Sequence, residues 1–285
     1  MHKSELIERI ENGEDTYTQF KEDITNSDKL AEELVAFYAD TEVVSGSSIN
    51  DLNTQLYYQY LAKANSDVLD KLQKGEIDLH ILLENEMIMK NTQLTLAGNL
   101  IFGINPQKFN KAFYVNCCYF DGDDVTVDKF ISKKRVLGTF EKLYDESMSF
   151  VKSNLRYRQV EQNFNSNGVI EIDERVLGEL IVNTLIHRDY YINAPIKIFI
   201  FHNRVEIISP GKLTNSLTIE NIKSGRSICR NPTLDSICEN ILTYSGYGSG
   251  IKRVLSINPD VEFINDKELE QFKCIIPRSG FDGIE

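Results

Sequence analysis

The sequence predicts an α+β fold, and three observations support this prediction. Apolar residues recur at three- and four-residue steps over residues 51–83, which is typical of helices. Short runs rich in β-branched and aromatic residues, bounded by turn residues, recur from residue 112 onward and are typical of strands. A chain of 285 residues is longer than one core usually organises, so we expect two units.

The first residues predict a helix over residues 4–12, an extended stretch at 16–20 and a helix over 27–38 with Ser27 as its N-cap. Leu30, Leu34 and Phe37 lie on one face of that last helix. The stretch that follows, residues 40–48, is too short to supply a sheet and a core for the helix. We therefore expect that part of this first unit is missing.

The middle of the chain predicts helices within residues 51–83, broken at Lys74-Gly75-Glu76, and a helical or extended stretch at 95–102. Residues 112–120 are rich in strand-forming residues and end at the turn Asp121-Gly122. A long amphipathic helix is predicted over residues 133–155, and residues 165–168 predict a turn between two strands.

The C-terminal third predicts a helix over residues 173–187, then strands at 196–201 and 204–209. Asn231 is the predicted cap of a further helix, with Pro232 in its first turn. A glycine-rich loop, a helix from Ile251 and two closing strands near Val261 and Phe272 complete the chain. This order of elements places one long apolar helix directly before a strand pair.

Composition excludes several classes of function. The 31 Lys and Arg residues against 43 Asp and Glu give a net charge of -12, which opposes non-specific attraction to polyphosphate, so any nucleic-acid contact must be local. The five cysteines form no C-x-x-C pair and the four histidines are scattered, which gives no support to a disulfide framework or a zinc site. No stretch approaches roughly 18 apolar residues and no signal-peptide core is present, so we expect a soluble cytoplasmic protein without membrane contact.

One polar column distinguishes the helix over residues 176–187. Three of its four columns of residues spaced four apart are nearly all apolar, whereas the fourth holds Glu179, Asn183 and His187. Burying an acid, an amide and an imidazole costs about 1–3 kcal/mol per unpaired group, unless they find partners. Two interpretations stay open: the solvent face of an amphipathic helix, or the wall of a ligand cleft, which the width of the apolar arc favours.

The segment ELIVNTLIHRDY, from Glu179, resembles the N-box of the GHKL ATPase superfamily, in the variant of bacterial and archaeal regulators labelled divergent AAA-type, Schlafen-AlbA-containing or RecG-related. Four further blocks follow in the family's order: APIKIFIF from Ala194, RVEIISPGKL from Arg204, SGRSICRNP from Ser224 and GYGSGI from Gly246. Upstream, LAGNLIFGINPQKF from Leu96 and YFDG from Tyr119 are also similar, so the resemblance covers most of residues 66–276.

The resemblance implies a pocket for ATP with Mg²⁺. Glu179 would polarise the attacking water as the catalytic residue, and Asn183 would bind both cofactor and metal. Gly248 and Gly250 would let the backbone approach the phosphates near a helix start. The remaining candidate cofactor contacts are His187, Gly211 and Arg230.

Simpler interpretations of these residues also stay open. The glycine-rich loop can be a plain turn before a helix, and Arg230 with Asn231 and Pro232 can be a helix cap. His187 and Asp189 are favoured as structural residues of the helix end. Where active GHKL proteins carry the aspartate that binds adenine, this chain has Ser209 followed by Pro210 and Gly211, which places base recognition in doubt.

Near the start of the chain, EDTYTQFKE from Glu14 and the helix through Phe37 resemble the opening of the Schlafen-AlbA-type domain, which is associated with nucleic-acid binding and sometimes with nuclease activity. The family's glycine-rich strand region is absent, and Gln19 stands where a carboxylate could hold a catalytic metal, so nuclease activity is not expected. A solvated edge strand is the plain alternative. Lys21 and the cluster Lys133-Lys134-Arg135 are the local basic features.

Together the resemblances divide the chain into a partial Schlafen-AlbA-like segment at 1–62, a helical connector at 63–110 and a GHKL (Bergerat)-like mixed sheet with helices on one face at 111–285. They imply a DNA-associated transcriptional regulator that binds ATP. The alternative is a nucleotide-free scaffold for a protein partner or a homodimer, which the missing aspartate and the acidic balance favour. Enzymatic activity is expected to be at most that of a weak ATPase. Helicase activity is not expected, because no G-x-x-x-x-G-K-[ST] motif of a translocating motor is present.

Overall fold

The computed structural model describes residues 39–126, 129–158, 168–214, 217–242 and 249–278. The helices and the extended stretch predicted within residues 4–38 lie outside the described residues, as does most of the turn predicted at 165–168.

The first described part is mainly helical. Its elements are 3-10 helices Ala39–Thr41 and Ile49–Asp51, α1 Thr54–Ala64, α2 Ser66–Gln73, α3 Leu79–Asn85, the hairpin of β1 Met89–Lys90 and β2 Gln93–Leu94, and α4 Leu96–Phe102. The side chains of Asn53, Asn65, Asp78 and Thr95 each accept a hydrogen bond from the first turn of the helix that follows. The helical prediction for this stretch is confirmed, and Asn65 adds a break that periodicity did not indicate.

A six-stranded mixed sheet forms the second part. Its strands are β3 Val115–Phe120, β4 Phe130–Val136, β7 Ile196–Ile200, β8 Arg204–Pro210, β9 Glu262–Asp266 and β10 Gln271–Pro277, in the order β4-β3-β7-β8-β10-β9. Only the β3–β7 pair is parallel, while the other four pairs are antiparallel. A separate small pair joins β5 Tyr157–Arg158 to β6 Val169–Ile170.

The remaining helices are α5 Phe140–Asn154, α6 Glu174–His187, α7 Ile219–Lys223, α8 Pro232–Ile241 and α9 Gly250–Ile257. Helices α5 and α6 pack on the sheet face that carries Cys117, Ile198, Ile207 and Cys274, all of which are buried. Helix α8 packs instead against α1 and α4, so the helical part and the sheet share one hydrophobic core. These observations confirm a mixed α+β architecture.

The helix predicted over residues 133–155 is wrong in its first third. Residues from Phe130 to Val136 form the edge strand β4, and the helix begins only at Phe140. Gly138, at φ +133°, makes the turn between the two elements, a conformation that a residue with a side chain seldom adopts. Helical periodicity across the turn misled the prediction, because alternation along β4 puts Ser132 and Lys134 on the side of α5, where they contact Asn154 and Glu146.

The predicted cap of α8 needs a correction. Asn231 precedes the helix, but its side chain makes no capping hydrogen bond and instead donates Nδ2 to the backbone oxygens of Ile186 and Arg188. The cap comes from Asp40, whose Oδ2 accepts the backbone N–H groups of Thr233 at 2.7 Å and Leu234 at 3.0 Å. These two hydrogen bonds attach the first described residues to the start of α8.

None of the helices in the described ranges is both long and apolar enough to cross a lipid bilayer.

Candidate functional site

A cleft lies between α6, the neighbouring end of the sheet, and the segments around α7 and α9. It encloses about 970 Å³, solvent at its mouth included. Its apolar walls come mainly from Leu180, Leu213, Leu217, Ile222, Ile228, Ile251 and Phe272. Its polar lining comes mainly from Glu179, Asn183, Thr184, His187, Ser209, Lys212, Thr214, Arg226, Ser227 and Arg230. A mostly apolar concavity with a few converging polar groups is typical of a small-molecule site.

The polar column of α6 faces this cleft. Glu179, Asn183 and His187 all line it and are partly exposed, whereas nine other residues of the helix are buried. Asn183 donates Nδ2 to Oε1 of Glu179 at 3.1 Å, and Arg253 on α9 lies 3.4 Å from Oε2 of the same carboxylate. The polar column therefore lines a cleft and does not form an exposed face of the helix.

Gly250 begins α9 directly against Glu179. A Cβ added at Gly250 would lie 1.7 Å from Glu179 Oε1, which leaves no room for any side chain there. The backbone of this first helical turn therefore lies directly beside the carboxylate. Gly248, the other glycine predicted to contact phosphate, lies outside the described residues.

Gly211 and Arg230 also line the cleft, and both lie beside Asp189. Gly211 has φ +102°, and an added Cβ would lie 2.5 Å from Asp189 Cβ and 2.7 Å from Arg230 Nη1. Arg230 places Nη1 2.7 Å from Asp189 Oδ2, an ion pair outside hydrogen-bond alignment, and donates Nη2 to the backbone oxygen of Lys212. Asp189 therefore positions Arg230, which agrees with the structural role favoured for it.

His187 lies at the end of the polar column. Burial lowers the pKa of His187, Asp235 opposes this effect by attracting the cation, and Arg230 adds to it. A lowered pKa favours the neutral imidazole at pH 7, which carries one donor and one acceptor nitrogen. Cys274, another wall residue, is inert, because burial raises the pKa of its thiol to about 12.

The charge of the lining favours an anion. Lys212, Arg226 and Arg230 are cationic, and Glu179 is the one carboxylate among the described lining residues. Thr214 also buries its hydroxyl oxygen without a hydrogen-bond partner among the described residues. A buried polar group in that state costs about 1–3 kcal/mol, and a ligand in the cleft could supply the missing partner.

The residues also fit a magnesium ion held mainly by phosphate. Within the described residues, no group of three or more His, Cys, Asp or Glu side chains could hold a metal alone. Asn183 uses its Nδ2 for Glu179, and no described residue hydrogen-bonds its Oδ1, which leaves an oxygen ligand for the cleft. Mg²⁺ usually takes only one or two protein oxygens and completes its shell with water and phosphate.

The structure thus brings six of the seven predicted site residues into one cleft. Sequence reasoning missed Lys212, Thr214, Arg226 and Phe272 in the lining, and Arg253 beside Glu179. The spacing of Arg253 could have indicated it. Arg253 follows Gly250 by three residues, and residues three apart on a helix lie on the same face. The others lie on loops and a distant strand, and their convergence has no signal in sequence spacing.

Comparison with known proteins agrees with an ATPase-like part. Residues 193–270 match the family described as "Putative ATP-dependent DNA helicase recG C-terminal". No curated protein matches the sequence significantly. Among solved structures, the DIP2311 protein from Corynebacterium diphtheriae matches with a TM-score of 0.62 at 17% identity, over 84% of this chain and 47% of that one. This chain spans about half the length of that protein, and the likeness shows the fold alone. The C-terminal part of the chain is therefore similar to an ATPase-like domain family, on a fold that also occurs in a solved bacterial protein.

Proposed function

We propose that the cleft binds a nucleotide, ATP with Mg²⁺. The observation that carries this proposal is the convergence, in one mostly apolar cleft, of the polar column of α6 with the glycine that begins α9. The similarity of residues 193–270 to an ATPase-like family supports it independently.

The lining offers both kinds of contact that a nucleotide needs. Phe272 and the aliphatic side chains supply apolar surface against which a flat base can pack. Lys212 and Arg226 supply positive charge for phosphates, in a chain whose net charge is -12. Asn183 would hold Mg²⁺, which neutralises phosphate charge when bound.

Hydrolysis is expected to be weak at most. The carboxylate of Glu179 is occupied by Asn183 and Arg253, so it must release at least one of them before it can orient a water molecule. Ser209 lines the cleft at the position where the resemblance expects an aspartate for adenine. Among the described residues, its Oγ makes two long hydrogen bonds of 3.5 Å, to the backbone oxygens of Thr184 and Pro210. A hydroxyl can donate or accept, so we expect low base selectivity.

We further propose that nucleotide binding serves a regulatory protein associated with DNA. The RecG-related family description and the sequence resemblance support this proposal. The segment predicted to contact DNA is residues 1–62, and its residues 1–38 lie outside the described residues, so the support for this proposal there is the sequence resemblance.

Calorimetric titration of Mg²⁺-ATP into the full chain tests nucleotide binding. We expect saturable binding by the wild type and an affinity about 10- to 100-fold lower for Asn183→Ala, because an oxygen ligand for the metal is lost. Asn50→Ala changes an exposed asparagine far along the chain and is the matched control, with wild-type affinity expected. No heat of binding to the wild type would refute the proposal.

The second candidate function is a scaffold that keeps this fold without nucleotide. The ion pair between Arg253 and Glu179 and the absence of a carboxylate at Ser209 favour it, because both lower the cleft's suitability for ATP. Size-exclusion chromatography with light scattering, with and without ATP, separates the two candidates: a scaffold forms its dimer or complex regardless of nucleotide.

A further inference from the structure

The sheet face turned away from α5 and α6 carries aromatic and basic side chains in cross-strand rows. One row runs from Arg135 through Asn116, Lys197, Ile208 and Lys273 to Ile264. The next row runs from Lys133 through Cys118, Phe199, Glu206 and Ile275 to Glu262. Because side chains alternate along a strand, both rows point to the side opposite the buried core. We call this side the outer face.

Aromatic rings cluster at one end of the outer face. Phe120 stacks on Phe201 with ring centroids 5.3 Å apart, and Phe199 meets Phe120 edge-on at 5.3 Å. Phe130 on the edge strand lies opposite Phe120 and is 49% exposed, with Lys133 Nζ 4.4 Å from its ring centroid. Phe120 and Phe199 are half-buried, so part of each ring remains accessible.

The half of the outer face formed by β4, β3 and β7 is locally positive in an acidic chain. The cations of the whole outer face are Lys133, Arg135, Lys197, Arg204 and Lys273, and its strand carboxylates are Glu206, Glu262 and Asp266. Glu206 forms ion pairs with both Arg204 at 2.7 Å and Lys273 at 3.1 Å. These three residues together therefore keep a net charge of one positive unit. Glu262 and Asp266 lie on the far edge strand β9, and Asp121, Asp123 and Asp124 lie in the turn beyond β3. The half formed by β4, β3 and β7 has no carboxylate within its described strands.

We propose that the outer face binds single-stranded nucleic acid across β4, β3 and β7. Its charge selects a polyanion, and its accessible rings offer stacking surfaces for unpaired bases. Unpaired bases are free to stack on rings of a sheet surface, whereas the bases of a duplex are already stacked on one another, so single strands fit better than double-stranded DNA. This proposal does not depend on nucleotide binding in the cleft, which lies on the opposite side of the sheet.

Fluorescence anisotropy with labelled (dT)20 and (rU)20 and the full chain tests this proposal. We expect saturation with a Kd on the order of 10 µM at low salt, weakening as salt rises. The double variant Lys133→Gln/Lys197→Gln should lower the slope of log K against log salt by about 1.4, since each phosphate contact on a single strand contributes about 0.7. Preference between the two oligonucleotides shows whether DNA or RNA is the better ligand.

Aromatic variants separate stacking from charge. Phe199→Ala should weaken binding about tenfold and leave the salt slope unchanged, because one stacked base contributes about 1–3 kcal/mol. Phe199 also packs in the aromatic cluster, so Phe130→Ala, which removes an exposed ring, repeats the test without touching the core.

The control Lys63→Gln/Lys71→Gln removes two exposed cations from α1 and α2 and should bind as the wild type does. Absence of binding at low salt overturns the proposal, as does an equal loss in this control. Displacement of the oligonucleotide by saturating ATP would place it in the cleft and overturn the outer-face assignment as well.

Discussion

At the residue scale, two buried glycines of helices α4 and α6 have opposite tolerances. A Cβ at Gly98 would lie 2.1 Å from the backbone oxygen of Ile88, whereas a Cβ at Gly178 would meet only the Tyr144 hydroxyl at 2.8 Å. Alanine is favoured over glycine in a helix by about 1 kcal/mol. We expect Gly98→Ala to destabilise the fold by about 2 kcal/mol or more, because backbone must move.

Gly178→Ala is the matched variant and should be neutral or stabilising, because a tyrosine side chain can shift. Urea unfolding of both variants measures the difference. Equal effects of the two substitutions would contradict the inference that the backbone of Ile88 leaves no room for a side chain at Gly98.

Also at this scale, the contact between Gly250 and Glu179 predicts energetic coupling. Gly250→Ala should displace the Glu179 carboxylate from Asn183 and weaken Mg²⁺-ATP binding about tenfold, because the added methyl group and Oε1 cannot both fit. In a Glu179→Ala background the same substitution should have little effect. Titration of the four proteins of this cycle measures the coupling, and additive effects would exclude a direct contact.

At the element scale, helix α8 depends on a cap from a remote part of the chain. Burial raises the pKa of Asp40 above its ordinary value of 3.8, although the N–H groups of Leu234 and Thr233 oppose this effect. Because the folded-state pKa is the higher one, the favourable contribution of Asp40 is complete below pH 3.8 and is lost as pH rises through the folded-state value.

Urea unfolding of the wild type and Asp40→Asn between pH 4 and 7 tests this linkage. We expect the wild type to lose stability relative to Asp40→Asn as pH rises, since the amide does not ionise. Asp40→Ala should lower the free energy of unfolding by about 2 kcal/mol at pH 7, whether or not Asp40 titrates, because two N–H groups of α8 lose their acceptor. A pH-independent difference between wild type and Asp40→Asn would show that the carboxyl does not titrate differently on folding.

At the scale of the whole molecule, the helical part and the sheet share a core. Leu61 on α1 is 1% exposed and Cys274 on β10 is 3% exposed, and both belong to the same buried cluster. We expect Leu61→Ala to lower the stability by about 2–5 kcal/mol and to speed thiol labelling of Cys274 in urea, because one cooperative transition exposes both. Leu269→Ala, at a residue 69% exposed, is the control without effect. Unchanged labelling of Cys274 would show that the parts unfold separately.

Most helices and strands of the described ranges could be predicted from local pattern. Helix α6 has a clear helical periodicity, and β7 and β8 have a strand-like composition. Local and tertiary preferences therefore agree in these elements. The helix prediction for residues 133–136 is wrong because the apolar residues of the short edge strand β4 and of the following helix α5 together fit one helical periodicity. Pairing with β3, a long-range interaction, decides the strand.

For the site, the chain of residues alone was enough to indicate that Glu179, Asn183 and His187 share one polar column on an otherwise apolar helix, because helical spacing is a local property. The fold brought Gly211, Arg230 and Gly250 around that column, placed Arg253 on Glu179 and gave α8 its cap from Asp40. The contact of Arg253 with Glu179 joins residues 74 apart along the chain, and that of Leu234 with Asp40 joins residues 194 apart. Only the packing of the sheet and helices selects such partners, because side-chain contacts between distant segments depend on the whole core and not on the spacing within any one element.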